Sequence, residues 1–382
     1  MIYFDNSATT KPRKEVLDAY LQTAERFFGN PSSIHSVGME AENLLSRARR
    51  QMAGLLGVKE REIIFTSGGT EGNNLAIKGI ARKFQRRGRH IIASAIEHPS
   101  VINACRDLEK EGFSVTWLPV DHDGRIRPEE LEQSLRDDTI LVSLMLVNNE
   151  TGVIQPVEEA GAIISRHPKV HFHVDCVQGI GKVPVDFSRC HIDLATLSAH
   201  KFHGVKGTGA LFIREGIRIE PILSGGNQER GIRSGTENVP GIVAMAKALR
   251  LAFENMDEKI NTMKEIQTFL RHELGNLEGV KIHTPAGYCA PHILNFSIAG
   301  FKAEVFVHAL SEKGVYVSTT SACSAKRNEP SRTLLAMGEN ERALSSIRIS
   351  LSYENTMEEA QRAVQIIKEC MEELKPMMER SS

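Results

Sequence analysis

Between Val37 and Leu56, apolar side chains fall at Val37, Ala41, Leu44, Leu45, Ala48, Met52, Leu55 and Leu56. That spacing predicts a helix with one buried face, and Gly57 is its stop. Past Gly57 the period changes. Short β-rich runs at 62–66, 90–94, 114–118, 140–146, 171–175, 194–198 and 209–213 alternate with helical stretches at 74–84, 101–110 and 157–166. Such alternation predicts an α/β fold: a mainly parallel seven-stranded sheet with helices on both faces. The run at 209–213 follows its predecessor after a short connection, so an antiparallel strand is expected there. From about Val239 the texture shifts to one long, charged helical stretch reaching about Leu277, followed by strands near 292–298 and 347–351. The final helix opens with a capping box, Thr356 and Glu359, and shows an apolar face at Ala360, Ala363, Val364, Ile367, Met371 and Leu374. A domain boundary is expected inside the long helix, giving a large domain over 13–255 and a smaller α+β domain over 256–382.

A chain of 382 residues, 41% hydrophobic and 25% charged, has room for two cores. Lys plus Arg number 47 against 48 Asp plus Glu, so neither nucleic acid nor a membrane surface is expected as a partner. The first residues lack the basic and apolar regions of a signal peptide, and there is no run of 18 apolar residues. The six cysteines form no CxxC pair, which predicts free thiols and a cytoplasmic protein.

Five segments carry chemistry. Thr66 to Gly72 (TSGGTEG) follows a strand and precedes a helix, as an anion-binding turn would, although a plain Gly-rich turn reads the same way. His171, His173 and Asp175 alternate along one strand. Asp175 could pair with a cationic ring nitrogen, or the three could contribute to a metal site. Lys201 follows the run at 194–198, where an amine can form an imine with a carbonyl, or can simply be a solvated loop lysine. The stretch from Gly231 to Asn238 suits an anion-binding loop or an inter-domain turn. Cys323 sits among small polar residues with Lys326 and Arg327 adjacent, which favours an exposed, reactive thiolate over a buried thiol.

Taken together, FDNSATT, GNPSS, TSGGTEGNN, EHPS, VNNETGVIQP, HVDCVQ, SAHK, RSGTEN, SAC and SSIRISLS, in that order along nearly the whole chain, resemble the cysteine desulfurases of the class V aminotransferase family. The resemblance implies fold type I of the pyridoxal 5'-phosphate (PLP) enzymes, with residues 1–12 joining the small domain. It implies that Lys201 carries PLP as a Schiff base and moves the Cα proton of L-cysteine. Asp175 would pair with the pyridine nitrogen, Gln178 would reach the phenolic oxygen with Asn149 near it, and His98 would stack on the ring and shuttle protons. Gly69, Thr70, Ser198 and His200 would hold the phosphate, and Thr236 would complete that site across a homodimer with shared active sites. Arg348, helped by Asn149 and Asn30, would bind the substrate carboxylate. The Cys323 thiolate would take the sulfur and pass it to an acceptor protein, either an iron–sulfur scaffold or a tRNA-thiolation enzyme. Three positions depart from the family pattern: Cys176 stands where alanine is more usual, Val205 where proline is common, and Asn227 interrupts a Gly-rich stretch.

Overall fold

The computed structural model describes residues 1–319 and 330–379. The chain starts with β1 (Ile2–Tyr3), α1 (Lys14–Arg26) and α2 (Ser36–Leu56). Gly57 ends α2 in the left-handed conformation, φ 67°, as a helix stop requires. The alternating region follows: β2 (Ile63–Thr66), α3 (Gly69–Phe84), β3 (His90–Ser94), α4 (Pro99–Lys110), β4 (Ser114–Leu118), α5 (Pro128–Ser134), β5 (Thr139–Met145), α6 (Val157–Ile164), β6 (His171–Asp175), β7 (Leu194–Ser198) and β8 (Gly209–Ile213).

These seven strands form one sheet in the order β2-β8-β7-β6-β5-β3-β4. Only β8 runs antiparallel to its neighbours. The link from β7 to β8 is too short for the crossover that a parallel pair needs. Strands β2, β3, β5, β7 and β8 are buried along their whole length, and β6 in all but its first residue, His171, as a sheet covered on both faces demands. The chain steps outward from β3 to β4, then returns to build β5, β6 and β7 on the other side of β3. That reversal opens a crevice at the carboxyl ends of the strands, where α/β sheets place their ligands.

The expected single helix from 239 to 277 is two helices, α7 (Val239–Phe253) and α8 (Met256–Gly275). The break falls at Asn255, which adopts φ 50°. Asn tolerates that left-handed conformation better than other side-chain-bearing residues, and apolar periodicity alone does not register it. After α8 come β9 (Val280–Ile282), β10 (Ile293–Ile298), α9 (Ala303–Glu312), β11 (Val315–Tyr316), β12 (Ser318–Thr319), α10 (Arg332–Ala336), β13 (Ser346–Ser350) and α11 (Met357–Glu379). An antiparallel sheet runs β12-β13-β10-β9, while β1 pairs with β11. A separate apolar cluster joins Phe4, Leu270, Phe296, Phe306, Ile349 and Ile367. Each such fully buried side chain contributes roughly 2 kcal/mol. The capping box of α11 forms in both directions: Glu359 N donates to Thr356 Oγ1 at 3.2 Å, and Thr356 N to Glu359 Oε2 at 3.1 Å. No helix among the described residues is long and apolar enough to cross a membrane.

Candidate active site

Asp175 ends β6 and is 5% exposed. Its two oxygens are held separately: Asn73 Nδ2 donates to Oδ2 at 2.7 Å, and Val177 N donates to Oδ1 at 3.0 Å. The same Asn73 amide donates to Ser100 Oγ at 2.9 Å, and Ser100 Oγ lies 2.7 Å from His98 Nδ1. A continuous polar chain therefore links Asp175 to His98. His98 also caps α4 by accepting from Ser100 N at 3.2 Å. An Nδ1 that accepts leaves the ring proton on Nε2. Burial lowers the His98 pKa; the charge of Asp175 opposes this and that of Lys201 adds to it, so the neutral imidazole is favoured. Asn73 was not singled out in the sequence, because its link depends on α3 packing beside β6.

Lys201 stands on a short 3₁₀ turn directly after β7. Its Nζ donates to the backbone oxygens of Ser7 and, at 2.9 Å, Ala8. Gln178 Nε2 donates to that same Ser7 oxygen at 3.0 Å, while its Oε1 is buried without a partner. His200 Nδ1 lies 3.3 Å from Thr9 Oγ1, and burial, followed by the charges of Lys201, Lys206 and Lys182, pushes it down to about 4. One N-terminal loop thus braces three of the expected site residues. Backbone carbonyls leave no composition signal, so this brace was not readable in advance.

The helix expected over 74–84 begins earlier, at Gly69. Gly69 and Thr70 therefore form the first turn of α3, whose free N–H groups can face an anion. A Cβ at Gly69 would lie 2.9 Å from Val177 Cγ2, so a larger residue there would have to displace that side chain. At Gly209 a Cβ would come within 2.6 Å of Gly68 Cα. That close approach brings the start of β8, paired with the Ser198 end of β7, against the Gly-rich turn. Glu71 accepts from Ser67 N at 2.8 Å and from Arg233 Nε at 2.8 Å. Desolvation raises its pKa, but those bonds outweigh it and hold the carboxyl below its ordinary value. The 231–238 loop is thereby tied to the Gly-rich turn, and Thr236 shares a cavity of about 90 Å³ with Thr66 and Ser67.

Arg348 lies on β13 and is 2% exposed. Its Nη1 donates to Asn149 O at 2.8 Å, its Nη2 to Asp5 Oδ1 at 2.9 Å, and its Nε is buried without a partner. Asn149 is thus beside Arg348. Asn30 is exposed, with its Oδ1 accepting from Ser32 N at 2.9 Å, and no hydrogen bond joins it to Arg348. Cys323 lies outside the described residues. His173 is occupied within the sheet: Nδ1 is 2.8 Å from Ser143 Oγ and Nε2 is 3.0 Å from Thr196 Oγ1. His171 packs against the Phe84 ring at 4.6 Å. Cys176 is buried, which pushes its thiol well above the ordinary range, so it is not a thiolate.

Glu97 spans the crevice between β3 and β5. Its Oε1 accepts from Ser94 Oγ at 2.7 Å and from Met145 N at 2.8 Å. Burial pushes its carboxyl from 4.5 up to about 8; the Ser94 bond opposes the rise and the charge of Asp175 adds to it. The folded protein therefore keeps this proton where the unfolded chain has shed it. The associated stabilisation is complete below about pH 4.5 and is lost as the pH climbs toward 8. Glu97→Gln is expected to melt on the order of 5 °C higher than wild type at pH 8 and no higher at pH 4, read by thermal denaturation.

The sequence matches the Aminotransferase class-V family model over residues 2–363. It is 44% identical over 377 residues to a cysteine desulfurase IscS of Methanosarcina thermophila, covering 98% of this chain and 93% of that one. The chain belongs to the cysteine desulfurases of the class-V aminotransferase family. A NifS/IcsS protein homolog of Lactobacillus delbrueckii subsp. bulgaricus is 47% identical over 363 residues, covering 94% of each chain. A solved NifS-like protein superposes with a TM-score of 0.92 at 41% identity, over 97% of this chain and 99% of that one. Enzymes of this family use PLP, and the residues here fit it. The Asp175 carboxylate at a strand end could pair with a cationic ring nitrogen, the Gln178 amide keeps a second N–H besides the one given to Ser7 O, and the N-terminus of α3 offers free N–H groups to a phosphate.

Proposed function

We propose that this chain removes sulfur from L-cysteine, releases L-alanine and leaves a persulfide on Cys323 for an acceptor protein. The observation that carries this reading is the convergence of Lys201, Gln178 and Arg348 on the loop from Asp5 to Ala8. It sets an amine, an N–H donor for a ring oxygen and a carboxylate-binding cation around one crevice. When bound, PLP supplies an electron sink for the bond broken at Cα. Lys201 would hold the cofactor and move the Cα proton. Asp175, fixed by Asn73, would keep the ring nitrogen cationic. Gln178 would donate to the ring oxygen, and His98, held neutral with its proton on Nε2, would lie against the ring and pass protons through that atom. Gly69, Thr70, Ser198 and His200 would hold the phosphate. Arg348 takes the substrate carboxylate beside Asn149. The Cys323 thiolate attacks the substrate sulfur, the C–S pair leaves with Cβ, and Cβ gains a proton to give alanine.

Several finer points belong to this reading. The exposed Thr236 and Asn30 meet the site best across a homodimer, from the partner subunit. The boundary between large and small domains falls between α7 and α8, with residues 1–12 joining the small domain through Ile2 and Phe4 in its core. Free thiols at Cys105, Cys176, Cys190, Cys289 and Cys370 suit a cytoplasmic protein. The acceptor serves iron–sulfur cluster assembly or tRNA thiolation. The test is mass spectrometry after L-cysteine treatment: one added sulfur on the peptide containing Cys323, absent in Cys323→Ser. Alanine formation that persists in Cys323→Ser would favour another class-V reaction instead.

A further inference from the structure

The guanidinium of Arg348 has five N–H groups in one plane, and the structure accounts for some of them. Nη1 is directed to Asn149 O at 2.8 Å and Nη2 to Asp5 Oδ1 at 2.9 Å, while the buried Nε finds no partner among the described residues. A buried donor to which no protein atom is offered marks a place for a ligand acceptor. Nε–H and one Nη2–H lie side by side on one edge of a guanidinium plane, the arrangement that matches a carboxylate with two parallel bonds. Which edge is presented depends on what grips the other groups.

Asp5 is built to grip. Ala8 N and Thr9 N donate to its backbone oxygen at 3.1 and 3.3 Å, and Tyr3 Oη donates to it at 3.3 Å. Its neighbour Asn6 donates from N to Ser350 O at 3.2 Å, and Asp5 itself forms an isolated bridge with Ser350, two residues beyond Arg348 on β13. The Asp5 carboxylate is therefore mounted on the strand that carries Arg348, not on a free tail. Arg348 has only 3% of its side chain exposed, and among the described residues Asp5 is its only ion-pair partner.

We propose that Asp5 is a positioning residue for the amino-acid substrate: it locks the Arg348 guanidinium so that its Nε edge faces the substrate carboxylate. This rests on Arg348 being the carboxylate site. Asp5 also carries a negative charge near that carboxylate, which works against binding. Two variants separate the effects. Asp5→Ala removes both the grip and the charge. Asp5→Asn keeps an acceptor oxygen and removes only the charge.

The experiment uses the PLP-loaded enzyme, with rapid-mixing absorbance titrations and steady-state KM and kcat. The probes are L-cysteine and cysteamine, which has the amine and thiol but no carboxylate. Asp5→Ala is expected to weaken L-cysteine binding and raise its KM about tenfold or more, with kcat far less affected. Cysteamine binding should stay within about twofold, since it makes no call on Arg348. Asp5→Asn should restore L-cysteine binding to wild type or better. The proposal falls if Asp5→Ala leaves L-cysteine unchanged, if cysteamine is weakened equally, or if Asp5→Asn is as impaired as Asp5→Ala. Asp5→Glu, which keeps the charge but displaces the acceptor, replaces the alanine variant if that does not fold, with the same outcomes expected for both probes. Arg348→Lys checks the underlying reading separately. If it leaves L-cysteine binding intact, the carboxylate site lies elsewhere. If it weakens binding while Asp5→Ala does not, only the role of Asp5 is lost.

Discussion

Replacing Lys201 by alanine is expected to remove the visible absorbance of the PLP-loaded protein and to reduce L-cysteine desulfuration by at least about 10⁴-fold. The amine is placed by structure that does not depend on the cofactor. Strand β7 ends at Ser198, a single turn carries Lys201, and β8 starts at Gly209. The carbonyl oxygens of Ser7 and Ala8 hold Nζ at the mouth of the crevice. Lys182 is another lysine within electrostatic reach, but it is 4% exposed, and burial together with the charge of Lys201 brings it down to about 7. It offers no open amine that could take over. Lys201→Arg should fail as completely, because a guanidinium keeps the charge but does not condense with an aldehyde. A variant at Lys201 that keeps both the absorbance and the turnover would refute the assignment. Spectrophotometry of the purified protein and an alanine-release assay are sufficient.

The second large effect is expected at Asp175. Asp175→Asn keeps the shape and an oxygen for Val177 N, but it removes the negative charge that a protonated ring nitrogen needs. It also sets an amide against the Asn73 amide, which now donates at 2.7 Å. Turnover is expected to fall about 10³-fold, the size of a lost charge partner in a site shielded from water. The cofactor should stay bound, since Lys201 and the phosphate contacts are untouched. Steady-state turnover together with the absorbance spectrum distinguishes this from simple cofactor loss. Turnover within about tenfold of wild type would remove Asp175 from its role. Asn73→Ala should show a weaker form of the same defect, because it frees the carboxylate to rotate without removing it.

The pattern along the chain was most informative where the physics is local. The runs at 90–94, 114–118, 171–175, 194–198 and 209–213 are strands over those same residues, and the short link before the last made it antiparallel. Gly57 and the Thr356–Glu359 box were readable for the same reason, since a helix end is decided by a few adjacent residues. The break at Asn255 was not, because one left-handed residue hardly disturbs a hydrophobic period. The motifs also singled out Lys201, Asp175 and Arg348 as candidate site residues. They could not state what holds each one.

The sequence by itself determined the layered α/β plan, the strand-end positions of the candidate residues, and, through ten ordered motifs, the family. Each of these depends on neighbours close along the chain or on residue types that carry their own chemistry. Only the tertiary structure decided the rest. Asn73 orients Asp175 from 102 positions away, and Asp5 grips Arg348 from 343 positions away. The oxygens that hold Lys201 belong to backbone that any residue would supply. Long-range pairing and carbonyl acceptors leave no local mark in a sequence, because they arise only once two cores have packed and brought the first ten residues against the last strand.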